Sequence, residues 1–285
     1  MTDRLAALFQ HFSVRARTFH AGPLCGVNTL EAVEGCGQLH LVRGGHVTVL
    51  HRLPTLEITR PSVLFYPRPL THRFVTDPAH GADFLCAHMA FEGGEAHPIA
   101  AALPEVVCLP LDTLPSCAPM LGLLFAEAEA SHCGRQAMLD RLFEVVLIQI
   151  LRELMAQGHV RTGMMAGLSD ERLRRALTAL HDAPAQDWSL DRLAAQAGMS
   201  RTVFANRFRE TVGCTPGTYV QRWRIGLAQK LLRQGRALKL VAAEVGYGSE
   251  AALSRAFSAQ LGVPPRAWRS AQKAAMAGEA HAARG

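Results

Sequence analysis

The chain has 285 residues, of which 49% are hydrophobic, and a formal net charge of +6. This length accommodates two domains, and the apolar content is sufficient for a core in each. The most apolar run contains Glu144, Arg152 and Glu153, which excludes it as a membrane span. No signal sequence is expected, and seven irregularly spaced cysteines fit a reducing cytoplasm better than a disulfide-stabilised secreted protein.

The net charge divides unevenly along the chain. Residues 171–270 contain 16 Arg and Lys against 7 Asp and Glu, a net charge of +9. Residues 1–170 contain 12 basic against 16 acidic residues, a net charge of −4. A basic domain of this size indicates a polyanionic partner, with an affinity dominated by phosphate contacts and weakened by salt. A merely solvated basic face is the alternative.

Residues 13–111 are predicted to form a β-domain, preceded by one short amphipathic helix within 3–12. Short runs with alternating apolar and polar residues occur at 14–20, 38–42 and 46–50, among others. Glycine and proline clusters separate these runs. Many short strands separated by turn-forming residues predict a β-sandwich or a β-barrel.

Residues 112–158 are predicted to be helical. Apolar side chains recur there at spacings of three and four residues, from Leu139 to Leu154. A stripe this apolar has to be buried, either on the β-domain or on a second copy of the chain. We expect the second arrangement, which makes this segment a dimerisation segment. The glycine-rich residues 159–168 are predicted to be a linker.

The segment 169–270 contains one helix-turn-helix pattern twice, predicted over 189–211 and 237–261. In each copy, an apolar helix with a central alanine is followed by a glycine, an N-capping serine (Ser200 or Ser249) and a second helix with an apolar stripe. A Gly-x-x-Pro sequence then ends each copy. Two helical hairpins that merely share a core are the alternative to a functional repeat.

The two copies are separated by a predicted helix over 215–233. The second helix of a helix-turn-helix fits the major groove of DNA, which is about 12 Å wide. Two such helices about 34 Å apart enter successive grooves on one face of the duplex. The alanine-rich residues 271–285 are predicted to be a flexible tail.

Residues 170–269 resemble the DNA-binding domain of the AraC/XylS family of bacterial transcription regulators. The most specific matches are VAAEVGYGSEAALSRAF over 241–257 and GVPPRAWR over 262–269. In the β-domain, LVRGGHVTV over 41–49 and PSVLFYPRPLTH over 61–72 resemble the two characteristic stretches of a cupin. The resemblance implies an α+β multidomain fold, with an N-terminal β jelly-roll and a C-terminal all-α domain with two helix-turn-helix motifs.

The exposed positions of the two second helices are the candidates for contacts with base edges. Asn206 and Arg255 match family positions that reach bases; asparagine favours adenine and arginine favours guanine. Many relatives carry arginine where this chain has Asn206, which leaves the target of the first helix open. The base-contacting candidates are Arg201, Thr202, Asn206, Glu250, Ala251, Ser254 and Arg255. The candidates for phosphate contacts are Ser200, Arg207, Arg222 and Ser249. Three further basic residues, Arg209, Arg224 and Lys230, are expected to contact phosphates or to remain solvated.

The segments around Cys25 and Cys86 resemble the cupin-type branch of the family that includes a reactive-chlorine sensor. The resemblance implies that oxidation of Cys25 promotes activation, with Cys86 as a second redox candidate. A redox-sensing thiol is exposed and has a low pKa, and the nearby His20 could assist it. The alternative is that both cysteines are ordinary packing residues.

No cofactor, metal site or enzymatic activity is predicted. A metal-binding cupin would show a His-x-His pair with a nearby glutamate. Here His40 and His46 are too far apart, and only His72 falls where a second-motif ligand would. No paired carboxylates or nucleophile constellation appears elsewhere.

These patterns predict a cytoplasmic, nucleoid-associated bacterial transcription regulator, with activation as the expected mode. The predicted partners are double-stranded promoter DNA, a second copy through residues 112–158, RNA polymerase, and an oxidant or small-molecule effector, but no membrane. The alternative is a cupin-type enzyme or metabolite-binding protein with a nucleic-acid-binding appendage.

Overall fold

Two structural units are present in the computed structural model, which describes residues 3–92, 94, 97–156 and 162–272. The β-unit comprises Phe12–Met165. The helical unit comprises the chain from Ala166 onward together with the N-terminal residues up to His11. None of the helices in these described ranges is both long and apolar enough to cross a membrane.

The β-unit is a two-sheet antiparallel sandwich. Its strands are β1 (Val14–Leu24), β2 (Val27–Leu30), β3 (Cys36–Gly44), β4 (Val47–Leu50), β5 (Leu56–Ile58), β6 (Ser62–Tyr66), β7 (His72–Val75), β8 (Ala82–Phe91) and β9 (Val107–Pro110). One sheet has the order β1-β8-β3-β6-β9 and the other the order β2-β7-β4-β5. The prediction of a cupin-like β-domain is confirmed.

The space between the two sheets is filled by aromatic and aliphatic side chains. Tyr66, Phe74 and Phe84 are fully buried there, and the rings of Phe74 and Phe84 stack with centroids 4.7 Å apart. Every residue of β6 is buried, so this central strand is covered on both faces.

Three α-helices lie among the described residues of the β-unit: α2 (Pro98–Ala102), α3 (Ala118–Glu129) and α4 (Arg135–Ala156). Two short 3-10 helices, Leu111–Thr113 and Pro115–Cys117, precede α3. Helix α4 lies along the outer edge of β1. Asp140 Oδ1 accepts the backbone N–H of Thr18 at 2.6 Å, and Glu144 Oε1 accepts that of Ala16 at 3.2 Å. These carboxylates are four residues apart on the helix, and their donors are two apart on the strand. They therefore satisfy edge groups that would otherwise lack a partner.

The apolar stripe of α4 is buried within the same chain. The nine buried side chains of this helix are Leu139, Leu142, Phe143, Val146, Leu147, Ile150, Leu151, Leu154 and Met155. The expectation that this stripe packs on a second copy is therefore wrong. The carboxylate contacts with β1 direct the stripe into the chain's own core, a pairing of distant segments that periodicity does not show.

The helical unit contains eight helices within its described residues, followed by a further helical segment over 265–272. They are α1 (Ala6–His11), α5 (Met164–Ser169), α6 (Leu173–Asp182), α7 (Leu190–Gln196), α8 (Arg201–Val212), α9 (Pro216–Arg233), α10 (Leu238–Glu244) and α11 (Glu250–Leu261). The bounds of α7 to α11 agree with the repeated pattern of the sequence. Residues 273–285 of the predicted tail lie outside the described residues.

Part of the predicted linker is helical. Residues 159–161 of this segment lie outside the described ranges. Helix α5 begins at Met164, and Met165 and Leu168 are fully buried. A Cβ at Gly167 would lie 2.7 Å from Leu177 Cδ1 and 2.9 Å from Val212 Cγ2, so α5 packs closely on the helical unit. The prediction of a patternless linker is wrong here, because this short run buries its apolar residues through contacts distant in sequence.

The short N-terminal helix α1 is part of the helical unit, although the whole β-unit follows it in the chain. Leu5, Ala7 and Leu8 are buried. The ammonium group of Lys230 on α9 donates to the carbonyl of Gln10 at 3.2 Å. Lys230, predicted to contact phosphates or to remain solvated, thus has a partner within the chain.

Candidate nucleic-acid interface

Each helix-turn-helix is built by the same local devices. Ser189 Oγ caps α7 by accepting the N–H of Arg192 at 3.2 Å, and Ser249 Oγ caps α11 by accepting that of Ala252 at 3.1 Å. Helices α8 and α11 both end at a glycine in the left-handed conformation, Gly213 or Gly262.

The first helix of each pair packs under the second through small and apolar side chains. Ala194 and Ala242 are buried at equivalent positions of α7 and α10. Helix α8 buries Phe204 and Phe208, and α11 buries Leu253 and Phe257. Because one face of each second helix is held in the core, the opposite face is presented to solvent.

Helix α9 connects the two motifs and carries a structural arginine. The Arg224 guanidinium donates to the carbonyls of Pro184, Gln186 and Gly246 at distances of 2.7–3.1 Å. Gly246 has a φ of +83°, and a Cβ there would lie 2.8 Å from both Ala185 and Arg224. The prediction of a phosphate-contacting or solvated Arg224 is therefore wrong, because its donors hold the second turn against the loop before α7.

The exposed face of α8 carries three of the candidate base contacts. Thr202 and Asn206 are exposed, with Asn206 one turn after Thr202. Arg201 is also exposed, and its guanidinium lies 3.6 Å from the Asp191 carboxylate at the start of α7. Binding of Arg201 to a base would have to compete with this ion pair.

The exposed face of α11 presents one long polar side chain between small ones. Arg255 is exposed, and the residues four before and four after it, Ala251 and Ala259, are exposed as well. Ser254 is only half-exposed, and Glu250 is exposed at the start of the helix. The two alanines leave room for the Arg255 guanidinium to approach a base edge without steric competition.

The phosphate candidates differ in their surroundings. Ser200 and Arg222 are exposed, and the Ser200 hydroxyl makes no capping hydrogen bond. Ser249 is also exposed, but its hydroxyl already caps α11. Arg207 donates to the Asp170 carboxylate through Nε at 2.8 Å and Nη2 at 2.5 Å. Arg207 is half-exposed in this pair, and its contact with phosphate stays a prediction.

Asp170 is held by backbone groups as well as by Arg207. Its Oδ1 accepts the N–H groups of Arg172 and Leu173 at 2.9 Å each, at the start of α6. Burial alone would raise the pKa of Asp170, but the Leu173 N–H and the Arg207 guanidinium outweigh it and lower the pKa. The carboxylate thus fixes α8 to the beginning of α6.

Sequence reasoning missed one exposed residue on α8. The side chain of Val203 is 54% exposed, next to Thr202 and one turn from Asn206. The buried residues Phe204, Phe208 and Val212 recur every four positions, and Val203 falls outside this stripe. That spacing is the signal that could have found it.

The two redox candidates occupy different environments in the β-unit. Cys25 is exposed, whereas Cys86 is fully buried on β8, where burial raises the pKa of its thiol. Cys86 therefore does not meet the requirements of a redox-sensing thiol. In the β1–β8 register Leu24 pairs with Ala82, four residues from Cys86, or about 13 Å along the strand. That separation is too long for a disulfide between Cys25 and Cys86 without rearrangement.

Two histidines meet inside the sandwich. His40 Nε2 lies 3.0 Å from His72 Nε2, and His72 Nδ1 donates to the carbonyl of Leu70 at 2.9 Å. Both rings are buried, and burial lowers the pKa of each, to about 4 for His72. Among the described residues, no group of three or more His, Cys, Asp or Glu side chains has an arrangement that could hold a metal ion.

Known proteins match both units of the chain. The profile of a cupin family matches residues 3–156, and that of a helix-turn-helix domain matches residues 193–271. An AraC-like transcription regulator of Streptomyces lividans is 41% identical over 171 residues, which cover 59% of this chain and 56% of that protein. The alignment thus spans little more than half the length of that relative.

Two further relatives match over most of their length. The HTH-type transcriptional regulator MtrA of Neisseria gonorrhoeae is 26% identical over 267 residues, covering 84% of this chain and 88% of MtrA. The RCS-specific HTH-type transcriptional activator RclR of Escherichia coli K12 is 25% identical over 250 residues, covering 83% of this chain and 87% of RclR.

Proposed function

Because the chain belongs to the family of AraC-type transcription regulators with an N-terminal cupin domain, we propose that it binds promoter DNA sequence-specifically and regulates transcription there. The observation that carries this proposal is the pair of exposed second helices, α8 and α11, within one unit of net charge +9 over residues 171–270. In the proposed complex each helix enters a major groove, and α9, 18 residues or about 27 Å long, separates the two helices.

The two classes of contact have different effects on binding. Side chains on the exposed faces of α8 and α11 select the sequence through base edges, whereas basic residues such as Arg222 bind phosphates and give affinity to any duplex. The affinity should therefore decrease steeply with salt, and the preference for one sequence should depend on Asn206 and Arg255.

Selection of bound duplexes from a random-sequence pool tests the proposal. We expect full-length protein at physiological salt to enrich one motif with two parts about one helical turn apart. The variant Arg222→Ala should weaken binding to all duplexes alike and reduce the salt slope by about one. Equal retention of random and genomic fragments by the wild-type protein would refute the proposal.

We propose activation through contact with RNA polymerase, in a bacterial cytoplasm, as the mode of regulation. The name of RclR, a transcriptional activator, supports the activation. We also propose a homodimer through the predicted segment 112–158. Since the stripe of α4 is buried internally, the contact has to use exposed apolar residues instead, of which Leu123 is 45% and Met138 42% exposed. Light scattering of a Leu123→Glu, Met138→Glu variant should show a monomer where the wild-type protein is a dimer.

We propose that oxidation of Cys25 is the signal sensed by the β-unit. Binding of a small-molecule effector is the alternative signal that the sequence leaves open. The thiol is exposed at the end of β1 and close to Gly81, where an added Cβ would lie 2.6 Å from Cys25 Sγ. Oxidant-dependent reporter expression should disappear in Cys25→Ser and persist in Cys133→Ser, which replaces another exposed thiol. An unchanged response in Cys25→Ser would remove Cys25 as the sensor.

The alternative of a cupin enzyme has no structural observation in its favour. The His40–His72 pair lacks a third ligand among the described residues. The relatives that match the chain are regulators of transcription.

A further inference from the structure

Val203 stands out on α8 because it is apolar, β-branched and exposed on a helix proposed to bind DNA. Its neighbours on the same surface, Thr202 and Asn206, are polar. The buried face of α8 consists of Phe204, Phe208 and Val212, so Val203 does not contribute to the core. Branching at Cβ lowers the helix propensity of valine, so Val203 does not favour the helix either.

We propose that Val203 contacts the C5-methyl group of a thymine in the major groove, so that α8 selects an A·T-rich half of a bipartite site. This inference rests on the proposed function and specifies its target. The thymine methyl is the apolar group that a base pair presents in the major groove, and small apolar side chains recognise it.

The spacing on the helix places the two contacts on neighbouring base pairs. Val203 and Asn206 are three residues apart, which puts their Cβ atoms about 5–6 Å apart on one side of a helix. That distance corresponds to one or two base-pair steps of about 3.4 Å. An adenine bound by the Asn206 amide and a thymine methyl contacted by Val203 therefore lie within two base pairs of each other.

The two arginines of α8 on either side of Val203 in the sequence are each paired with a carboxylate. Arg207, one turn further along α8, is held by Asp170. Arg201, at the start of the helix, is paired with Asp191. Beside these paired arginines, the first two turns of α8 present three uncharged groups for base contacts, namely the Thr202 hydroxyl, the Val203 methyls and the Asn206 amide.

Helix α11 has the opposite chemistry at the equivalent positions. Ala252 replaces Val203 and is only half-exposed, and Arg255 replaces Asn206. A lone arginine between exposed alanines favours guanine. The two halves of the target thus differ in composition, with adenine and thymine facing α8 and guanine facing α11.

Replacement of thymine by deoxyuridine tests the contact, because it removes only the C5-methyl group. A random-sequence selection with full-length protein first gives the preferred duplex. A parallel selection with Asn206→Ala identifies the adenine whose enrichment depends on Asn206. Each thymine within two base pairs of that adenine is then replaced by deoxyuridine, and the affinities of the wild-type protein and Val203→Ala are compared.

For the wild-type protein we expect about a fourfold loss of affinity at one or two of these positions, the effect of one buried methyl group. Val203→Ala should bind the thymine duplex about fourfold more weakly than the wild-type protein. Its affinity should not decrease further when thymine is replaced by deoxyuridine. Val263→Ala replaces an exposed valine outside α8 and α11 and should respond to deoxyuridine like the wild-type protein.

Three outcomes would overturn the inference: no thymine near the adenine, no sensitivity to deoxyuridine, or equal sensitivity in wild type and Val203→Ala. If the wild-type protein enriched no sequence at all, the proposed function itself would fail, an outcome recognisable at the first selection. Because the Val203 side chain is on the surface, we expect Val203→Ala to unfold at the same temperature as the wild-type protein. That result would exclude a folding defect.

Discussion

The Arg207 guanidinium and the Asp170 carboxylate form a two-point contact, through Nε at 2.8 Å and Nη2 at 2.5 Å, between the middle of α8 and the start of α6. The side chain of Asp170 is only 10% exposed, whereas that of Arg207 is 51% exposed. The sequence makes Arg207 a candidate phosphate contact, and the geometry gives it a structural role in addition. The position of α8 in its unit therefore depends on Asp170, a residue that lies outside the helix-turn-helix motif.

The Asp170–Arg207 pair predicts unequal effects of its two truncations. Asp170→Ala removes two capping bonds and the ion pair, and should lower the free energy of unfolding by about 2 kcal/mol. Arg207→Ala should cost about 1 kcal/mol, since solvent screens its half-exposed guanidinium. The double variant should be no less stable than Asp170→Ala, because the pair is already lost. Urea unfolding measures all three, and Arg209→Ala, an exposed arginine on the same helix, is the control. Additive losses in the double variant would contradict the coupling.

His181 predicts that the helical unit loses stability in mild acid. It is fully buried, with its ring stacked 3.8 Å from that of Trp223 and its Nε2 2.8 Å from the Tyr219 hydroxyl. Burial, and to a smaller extent His11, lowers the pKa of His181 from 6.5 to about 3. Below pH 6.5 the unfolded chain binds a proton that the folded chain does not. The free energy of unfolding therefore decreases as the pH falls towards 3, by up to about 1.4 kcal/mol per pH unit, and this contribution is constant above 6.5.

Urea unfolding followed by tryptophan fluorescence measures this effect selectively, since all three tryptophans belong to the helical unit. His181→Phe preserves an aromatic ring against Trp223. It should remove the part of the pH dependence of the free energy of unfolding that arises from the uptake of one proton. It should also cost about 1–2 kcal/mol at pH 8, because the Tyr219 hydroxyl loses its partner. His132→Phe, at an exposed position of the β-unit, is the matched control. The same slope in wild type and His181→Phe would show that His181 is not the group responsible.

Local patterns in the sequence were sufficient to predict the helices of the repeat but not their partners. Capping serines, left-handed glycines and apolar spacing are determined by neighbouring residues, so the bounds of α8 and α11 follow from them. The Asp170–Arg207 pair joins residues 37 positions apart, and nothing in the sequence near Arg207 distinguishes it from Arg222, which is solvent-exposed. Long-range contacts of this kind decide which basic residues remain available to DNA.

The same limitation explains the two cysteines. The resemblance makes both Cys25 and Cys86 redox candidates, whereas the pairing of β8 between β1 and β3 buries Cys86. The α4 stripe was correctly predicted to be buried, but periodicity cannot show which surface buries it. Asp140 and Glu144, which attach the helix to β1, have no signature in the sequence as partners of a strand edge.

Helix α1 predicts that the chain's N terminus stabilises the helical unit. Leu8 is fully buried there, so Leu8→Ala should cost about 2–4 kcal/mol by leaving a cavity. The loss should appear in the unfolding transition detected by tryptophan fluorescence. Leu240→Ala, at a side chain that is 61% exposed, should change stability by less than about 0.5 kcal/mol. If Leu8→Ala left the tryptophan-detected transition unchanged, α1 would not be a stabilising part of this unit.

Replacement of Arg255 should abolish the protein's preference for one base in the DNA half-site that faces α11. Arg255→Ala should weaken binding to the selected duplex by about 1–3 kcal/mol and make the protein indifferent to the guanine that faces α11, because a bidentate contact to that base disappears. Anisotropy titrations with the selected duplex and with a duplex changed at that guanine measure both effects. Arg207→Ala is the matched control: at a temperature where it is folded, it should retain the guanine preference, since Asp170 already holds its guanidinium. If Arg255→Ala bound both duplexes more weakly by the same factor, the ratio of the two affinities would be preserved. Arg255 would then be a phosphate contact, because a loss of affinity that does not depend on the base cannot come from a contact with the base edge.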